Sequence, residues 1–188
     1  SLKLGAKEIW MPTVDSLNHR SKIKKEGGIY ILDEKDDLRK EIYEILESIS
    51  KYQVILGTGH LSLKEIFTLI KKAKEMKIEK IVVTHPEFWI TYIPIKTQLE
   101  LSKYGVFFER CYYSSTLNGD KRVDFKWVIE CIKKVGLDST IISTDLGQKY
   151  NPSPVEGMKV IISELLEANF RESEIRKVIS DNPKSLVT

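Results

Sequence analysis

Five short apolar runs, rich in β-branched residues, alternate along the sequence with amphipathic stretches. This alternation constrains the fold more than any other feature. Residues 8–11, 53–56, 80–84, 106–109 and 140–144 read as strands, and 29–32 as a small additional one. Strands separated by helix-length segments pair in parallel, because a parallel partner can be reached only by a crossover. Helices are expected over 36–50, 94–103, 122–135, 154–168 and 172–180. In the first, Leu38, Ile42, Ile45, Leu46 and Ile49 recur at three- and four-residue spacing and form one apolar face. A further helix starts at Ser62, where Glu65 completes a capping box. Gly136 is placed to stop one helix, Pro154 to open another, and Asn182-Pro183 to close the last.

The chain has 188 residues, 41% hydrophobic and 30% charged. Those proportions exclude a disordered tail and a small disulfide scaffold, and no linker divides the sequence, so residues 1–188 read as one domain. An eight-unit β/α barrel needs about 250 residues, more than this chain offers. Thirty basic residues against 27 acidic ones give a net charge of +3. Lys71, Lys72, Lys74 and Lys77 are interleaved with Glu65, Glu75 and Glu79, so no basic stripe forms and no nucleic-acid partner is expected. There is no apolar run of 18 residues, so no membrane span is expected; the N-terminal residues lack the apolar stretch of a signal peptide, and the expected location is cytoplasmic. The two cysteines form no CxxC pair. Cys131 reads as a small buried hydrophobe, and Cys111, with no histidine near it in sequence, is a poor nucleophile candidate.

Parallel α/β folds bind ligands beyond the C-terminal ends of their strands. Thr13, His60, His85, Glu109 and Asp145 stand there. Two of the chain's three histidines directly follow strands, and the third, His19, lies in the loop after the first strand. Imidazoles and a carboxylate suit a divalent metal, with zinc foremost and nickel, manganese or iron as alternatives. Asp145 is placed to be both ligand and general base, taking a proton from water as it attacks a carbonyl or phosphoryl centre. Glu109 reads as the partner of Arg110 or as a group behind the ligands, and Phe88 and Trp89 as pocket walls or ordinary packing. Bland roles are open to each residue singly, as a turn cap or packed loop side chain. Their common position at the strand ends favours the functional reading. Gly57-Thr58-Gly59 is neither a dinucleotide fingerprint nor a Walker loop, and no GxSxG elbow is present.

The order strand–His60, strand–His85, strand–Asp145 resembles the second half of a metal-dependent amidohydrolase barrel. More narrowly, the sequence is similar to an uncharacterised amidohydrolase-related family of bacteria and archaea. The similarity lies in residues 6–13, Asn18-His19, Gly59-His60-Leu61-Ser62, Thr84-His85-Pro86, residues 143–148, Asn151-Pro152 and Asn182-Pro183. The resemblance implies a partial TIM-type barrel of about five β/α units, corresponding to strands four to eight. It implies His60, His85 and Asp145 as metal ligands and Asp145 as the catalytic base. His19, Glu109, Thr13 and Arg110 would contact substrate or support the ligands. The implied reaction is water attack on an amide, ester, lactone or phosphoester bond of a small-molecule substrate. A non-catalytic metal- or anion-binding relative, or an inactive fragment, is the alternative. The first three units, with the His-x-His pair that begins such barrels, are not in this sequence. The 188 residues are therefore expected to be the C-terminal part of a longer protein or a natural short form, inactive in isolation, and to self-associate through the open barrel edge.

Overall fold

A computed structural model describes residues 2–117 and 119–188. Five parallel strands, β1 (Glu8–Trp10), β2 (Ile55–Gly57), β3 (Ile81–Thr84), β4 (Phe107–Cys111) and β5 (Thr140–Ser143), form one sheet in sequential order. The register pairs Trp10 with Gly57, Gly57 with Val82, Thr84 with Glu109 and Cys111 with Ser143. Between them run α1 (Leu17–Lys22), α2 (Lys40–Tyr52), α3 (Leu63–Glu75), α4 (Ile95–Ser102), α5 (Tyr113–Thr116) and α6 (Phe125–Val135); α7 (Pro154–Glu167), α8 (Glu172–Arg176) and α9 (Asn182–Val187) follow β5. No described helix is long and apolar enough to cross a membrane.

The strand period of two sorts the core. Leu56, Ile81, Val83 and Phe108 face Leu46 and Ile49 of α2 and Ile66, Leu69 and Ile70 of α3. Ile142 faces Ile129 and Ile132 of α6 and Ile161 and Leu165 of α7 on the same side. The other face carries Glu8, Ile55, Val82, Glu109, Cys111 and Ile141, and only a small cluster, closed by Leu186 of α9, packs against it. In this unbroken strand order the crossover helices α2, α3 and α6, and α7 after β5, pack on one side of the sheet, as right-handed crossovers would place them. That winding is consistent with part of a β/α barrel and differs from a doubly wound sheet, whose order reverses and whose helices cover both faces. Among the described residues, β1 and β5 each pair along one edge only.

Several expected boundaries shift for local reasons. The α2 helix starts at Lys40, four residues later than the periodicity predicts. The Asp33 carboxylate accepts the N–H groups of Lys35 and Asp37, and Asp36 takes a left-handed φ of 63° in the resulting turn. Residues 29–32 do not form a strand; they make isolated bridges to Ser16 and Leu38. The Ile31 N–H is taken instead by Glu65 Oε1, while Glu65 Oε2 accepts from the Ser62 N–H in the expected capping box. Ile31 and Leu32 thus enter the core without joining a ladder, and the outer edge of β1 has no strand partner among the described residues. The last expected helix is broken into α8, a π-helical turn over Lys177–Asp181, and α9. Pro183 does not close it: at the first turn its missing N–H is one that has no intrahelical partner, so the chain continues as α9. The Asn182 side chain donates to the carbonyls of Leu137 and Thr140 and anchors that helix below β5.

Candidate metal centre

The glycine turn after β2 sets the first histidine. Gly59 has a φ of +58°, and a Cβ there would lie 2.3 Å from the Met11 carbonyl oxygen, so only glycine lets this turn pass under the end of β1. The His60 N–H then donates to the Pro12 carbonyl. The Thr84 N–H donates to Thr58 Oγ1, and the Gly59 N–H donates to Thr84 Oγ1, so the ends of β2 and β3 are tied together. Asn18 staples the loops from above, donating to the carbonyls of His60 and Ile90.

His85 and Asp145 both have left-handed backbones, with φ of 52° and 50°. This region is uncommon for residues with a Cβ, and His and Asp are among those that tolerate it. The turn has a geometric result. Thr84 already points to the face opposite the helices, so strand alternation alone would send His85 the other way. Left-handed φ instead brings the His85 ring to Cys111, with Nδ1 3.0 Å from Sγ. On its other side His85 Nε2 lies 3.8 Å from Asp145 Oδ2. One donor atom from each of His85, Cys111 and Asp145 lies within 4.8 Å of the others. His60 stands beside them, its ring centroid 5.4 Å from that of His85. His60 Nδ1 is 2.6 Å from His19 Nδ1, and these two rings stack nearly parallel.

His19, His60, His85 and Asp145 line a pocket of about 200 Å³ together with Val14, Phe88, Tyr113, Ser114 and Gln148. Burial pushes the His85 imidazole down to about 4. Burial, then the neighbouring His85 and His19, push His60 down to about 3. Both are therefore neutral at pH 7 and have lone pairs to offer. Burial raises Asp145 above its ordinary range. Burial also pushes Glu109 up to about 7, opposed by the Ser143 hydroxyl and aided by Glu8 and Asp145. Glu109 Oε2 and Glu8 Oε1 are buried without a hydrogen-bond partner among the described residues.

The sequence candidates divide. His19, His60, His85 and Asp145 come together at the strand ends. Glu109 lies one step deeper on the same face, its Oε1 accepting from the Ser143 hydroxyl. Thr13 is in the turn before α1, where its carbonyl accepts the Ser16 N–H and its neighbour Val14 reaches the pocket. Arg110 is not at the site, and Glu109 is not its partner. The strand period sends Arg110 to the helix side, where it is fully buried and paired with Glu87. Trp89 lines a separate groove with the Lys121 ammonium 4.5 Å from its ring centroid, while Phe88 does wall the pocket. Sequence reasoning missed Cys111. Its signal was the strand period, which puts it on the Glu109 face one step nearer the site.

The model of a family of unknown function, DUF6282, matches residues 1–109, more than half of the sequence. The chain belongs to this family. No curated protein matches it. Among solved structures it is similar to a metallopeptidase from Rhodobacter sphaeroides, liganded with a phosphinate mimic of the dipeptide L-Ala-D-Ala, at 12% identity and a TM-score of 0.66. It is also similar to the dipeptidase AC, a metallopeptidase of family M19, at 15% identity and a TM-score of 0.69. Each alignment covers 99% of this chain but only 56% and 57% of the respective relative. The fold is thus shared with these two metallopeptidases, and the chain spans little more than half the length of either.

Proposed function

We propose that the protein is a metal-dependent hydrolase of the amidohydrolase type, with this chain supplying the units that correspond to barrel strands four to eight. The observation that carries the reading is the convergence of His85, Cys111 and Asp145 within 4.8 Å at the strand ends, with His60 beside them. The donor set suits a divalent cation: neutral imidazoles, and acidic groups that pair with no lysine or arginine among the described residues. Glu109, for example, is acted on by Ser143, Glu8 and Asp145, none of them positive. His60, His85 and Asp145 would hold the ion, zinc foremost. The ion would supply Lewis acidity, polarising the scissile bond and acidifying water.

The chain's own residues do the rest. Asp145 is the ligand open to solvent, its side chain 38% exposed, and it takes the proton of the attacking water and returns it to the leaving group. The neutral His60–His19 pair fixes the ring beside His85 and offers an N–H or a lone pair to substrate, according to tautomer. Phe88 and Tyr113 wall the pocket. Its size admits a small acyl or phosphoryl group rather than a polymer. Both solved relatives are metallopeptidases, which puts amides first among the bonds to test.

The test is elemental analysis of the purified chain, followed by a screen of amide, ester, lactone and phosphoester substrates with added metal. About one divalent ion per chain is expected, and His85→Ala lowers that content and abolishes hydrolysis. Unchanged metal content in the variant overturns the assignment.

A further inference from the structure

We propose that Cys111, as the thiolate, is itself a ligand of the ion, so that the centre selects thiophilic metals over magnesium, manganese and calcium. The inference rests on the proposal that these strand ends hold a divalent ion, and it deepens that proposal by naming the class of metal.

The placement is specific. Cys111 is the last residue of β4, on the face that carries Glu109, and its register partner is Ser143 of β5. Its Sγ is 3.0 Å from His85 Nδ1 and 3.1 Å from Ser143 Oγ. Two donors on one tetrahedral zinc, with Zn–S and Zn–N bonds of about 2.3 and 2.0 Å, are separated by about 3.5 Å. The observed spacing therefore needs only a few tenths of an ångström of opening to admit an ion. Cys131 supplies the internal contrast. It is fully buried in the helix layer, where it lies beside Glu87 and Arg110. Cys111 is instead surrounded by the donors of the candidate centre. Thiolate is a soft ligand, preferred by zinc, cobalt and cadmium and poorly matched to hard cations that favour oxygen. Binding releases the Cys111 thiol proton to solvent, so one proton per ion leaves from this residue as the sulfur–metal bond forms.

Cobalt(II) is the probe. In the metal-free chain loaded with cobalt, the visible ligand-field bands report whether the ion is bound, and a near-ultraviolet charge-transfer band reports sulfur bonded to it. The wild type and Cys131→Ser are expected to show both. Cys111→Ser keeps the visible bands, loses the charge-transfer band, and loses at least about tenfold of its preference for zinc over manganese. Cadmium-113 NMR of the wild type reads sulfur ligation with no substitution at all, so a variant that fails to fold leaves the test intact. Visible bands with no charge-transfer band in the wild type, or a band that survives Cys111→Ser, overturn the thiolate ligand while leaving the hydrolase reading standing. Failure of cobalt to bind at the wild-type site overturns both.

Discussion

Strand β4 carries ionisable side chains to both faces of the sheet, and the two faces neutralise them in different ways. On the helix side, Arg110 is fully buried and pairs with Glu87, which also accepts from the Gln98 amide. The buried carboxylate there has its cation built into the chain. On the opposite side, Glu109 and Cys111 face Glu8, His85 and Asp145, and the groups acting on Glu109 include no cation. A fold can neutralise a buried carboxylate with a guanidinium or leave the position for something that binds. The first arrangement is self-contained; the second leaves acidic groups that a bound cation could neutralise. The contrast separates Arg110, whose burial is matched by Glu87, from Glu109, whose neighbours include no cation.

The comparison breaks most sharply at Arg110. Removing one partner of a buried ion pair leaves an uncompensated charge and destabilises by about 3–5 kcal/mol, whereas replacing both by apolar residues of similar volume is close to neutral. Arg110→Met is expected to lose that much in urea unfolding, and Arg110→Met with Glu87→Leu to regain most of it. Neither change should alter metal content per folded chain. A double variant as unstable as the single one would show that the pair does more than neutralise itself.

Gly59→Ala tests the other side of the comparison through the backbone. The added Cβ would meet the Met11 carbonyl oxygen, and the φ of +58° disfavours any side chain. A loss of about 2 kcal/mol or more is expected by thermal unfolding. Because His60 is hung from this turn, metal affinity should fall with it. Stability lost without any effect on metal would separate the turn from the site.

Much of this was legible in the sequence, and the failures have physical causes. Strand order, and the place of His60, His85 and Asp145, followed from β-branched runs whose C-terminal ends could be read directly. The capping box at Ser62 followed from one residue spacing. The short helices α1 and α5, of six and four residues, give too few turns for an apolar period to show. Residues 29–32 look like a strand because the run is apolar, but their burial comes from the core and their amide from Glu65 rather than from a ladder. Arg110 was misplaced because adjacency in sequence to Glu109 suggested contact, where a period of two forbids it. Cys111 meets His85 only through the register of β3 and β4 and a left-handed turn after Thr84, and neither is written in composition or spacing.

The smallest effect is the most informative about the electrostatics of the site. The folded-state carboxyl of Glu109 is raised to about 7 from an unfolded value near 4.5. For a raised acid, the folded form binds more protons than the unfolded form between those two values. Its contribution to stability therefore falls as pH rises from about 4.5 to 7 and is flat outside that window. Glu109→Gln removes this dependence and keeps the hydrogen bond to Ser143. In metal-free protein the variant is expected to gain on the wild type progressively over that window, reaching about 1–2 kcal/mol at pH 7 once solvent screening of a half-buried group is allowed for. Urea unfolding at several pH values measures the difference, so the opposing slope from His60 and His85, common to both proteins, cancels. Zinc should then shrink the gap, because a cation among these ligands gives the ionised Glu109 the neutralising partner that Glu87 already has in Arg110. A gap that zinc leaves untouched would place Glu109 outside the field of any ion held by His85 and Asp145.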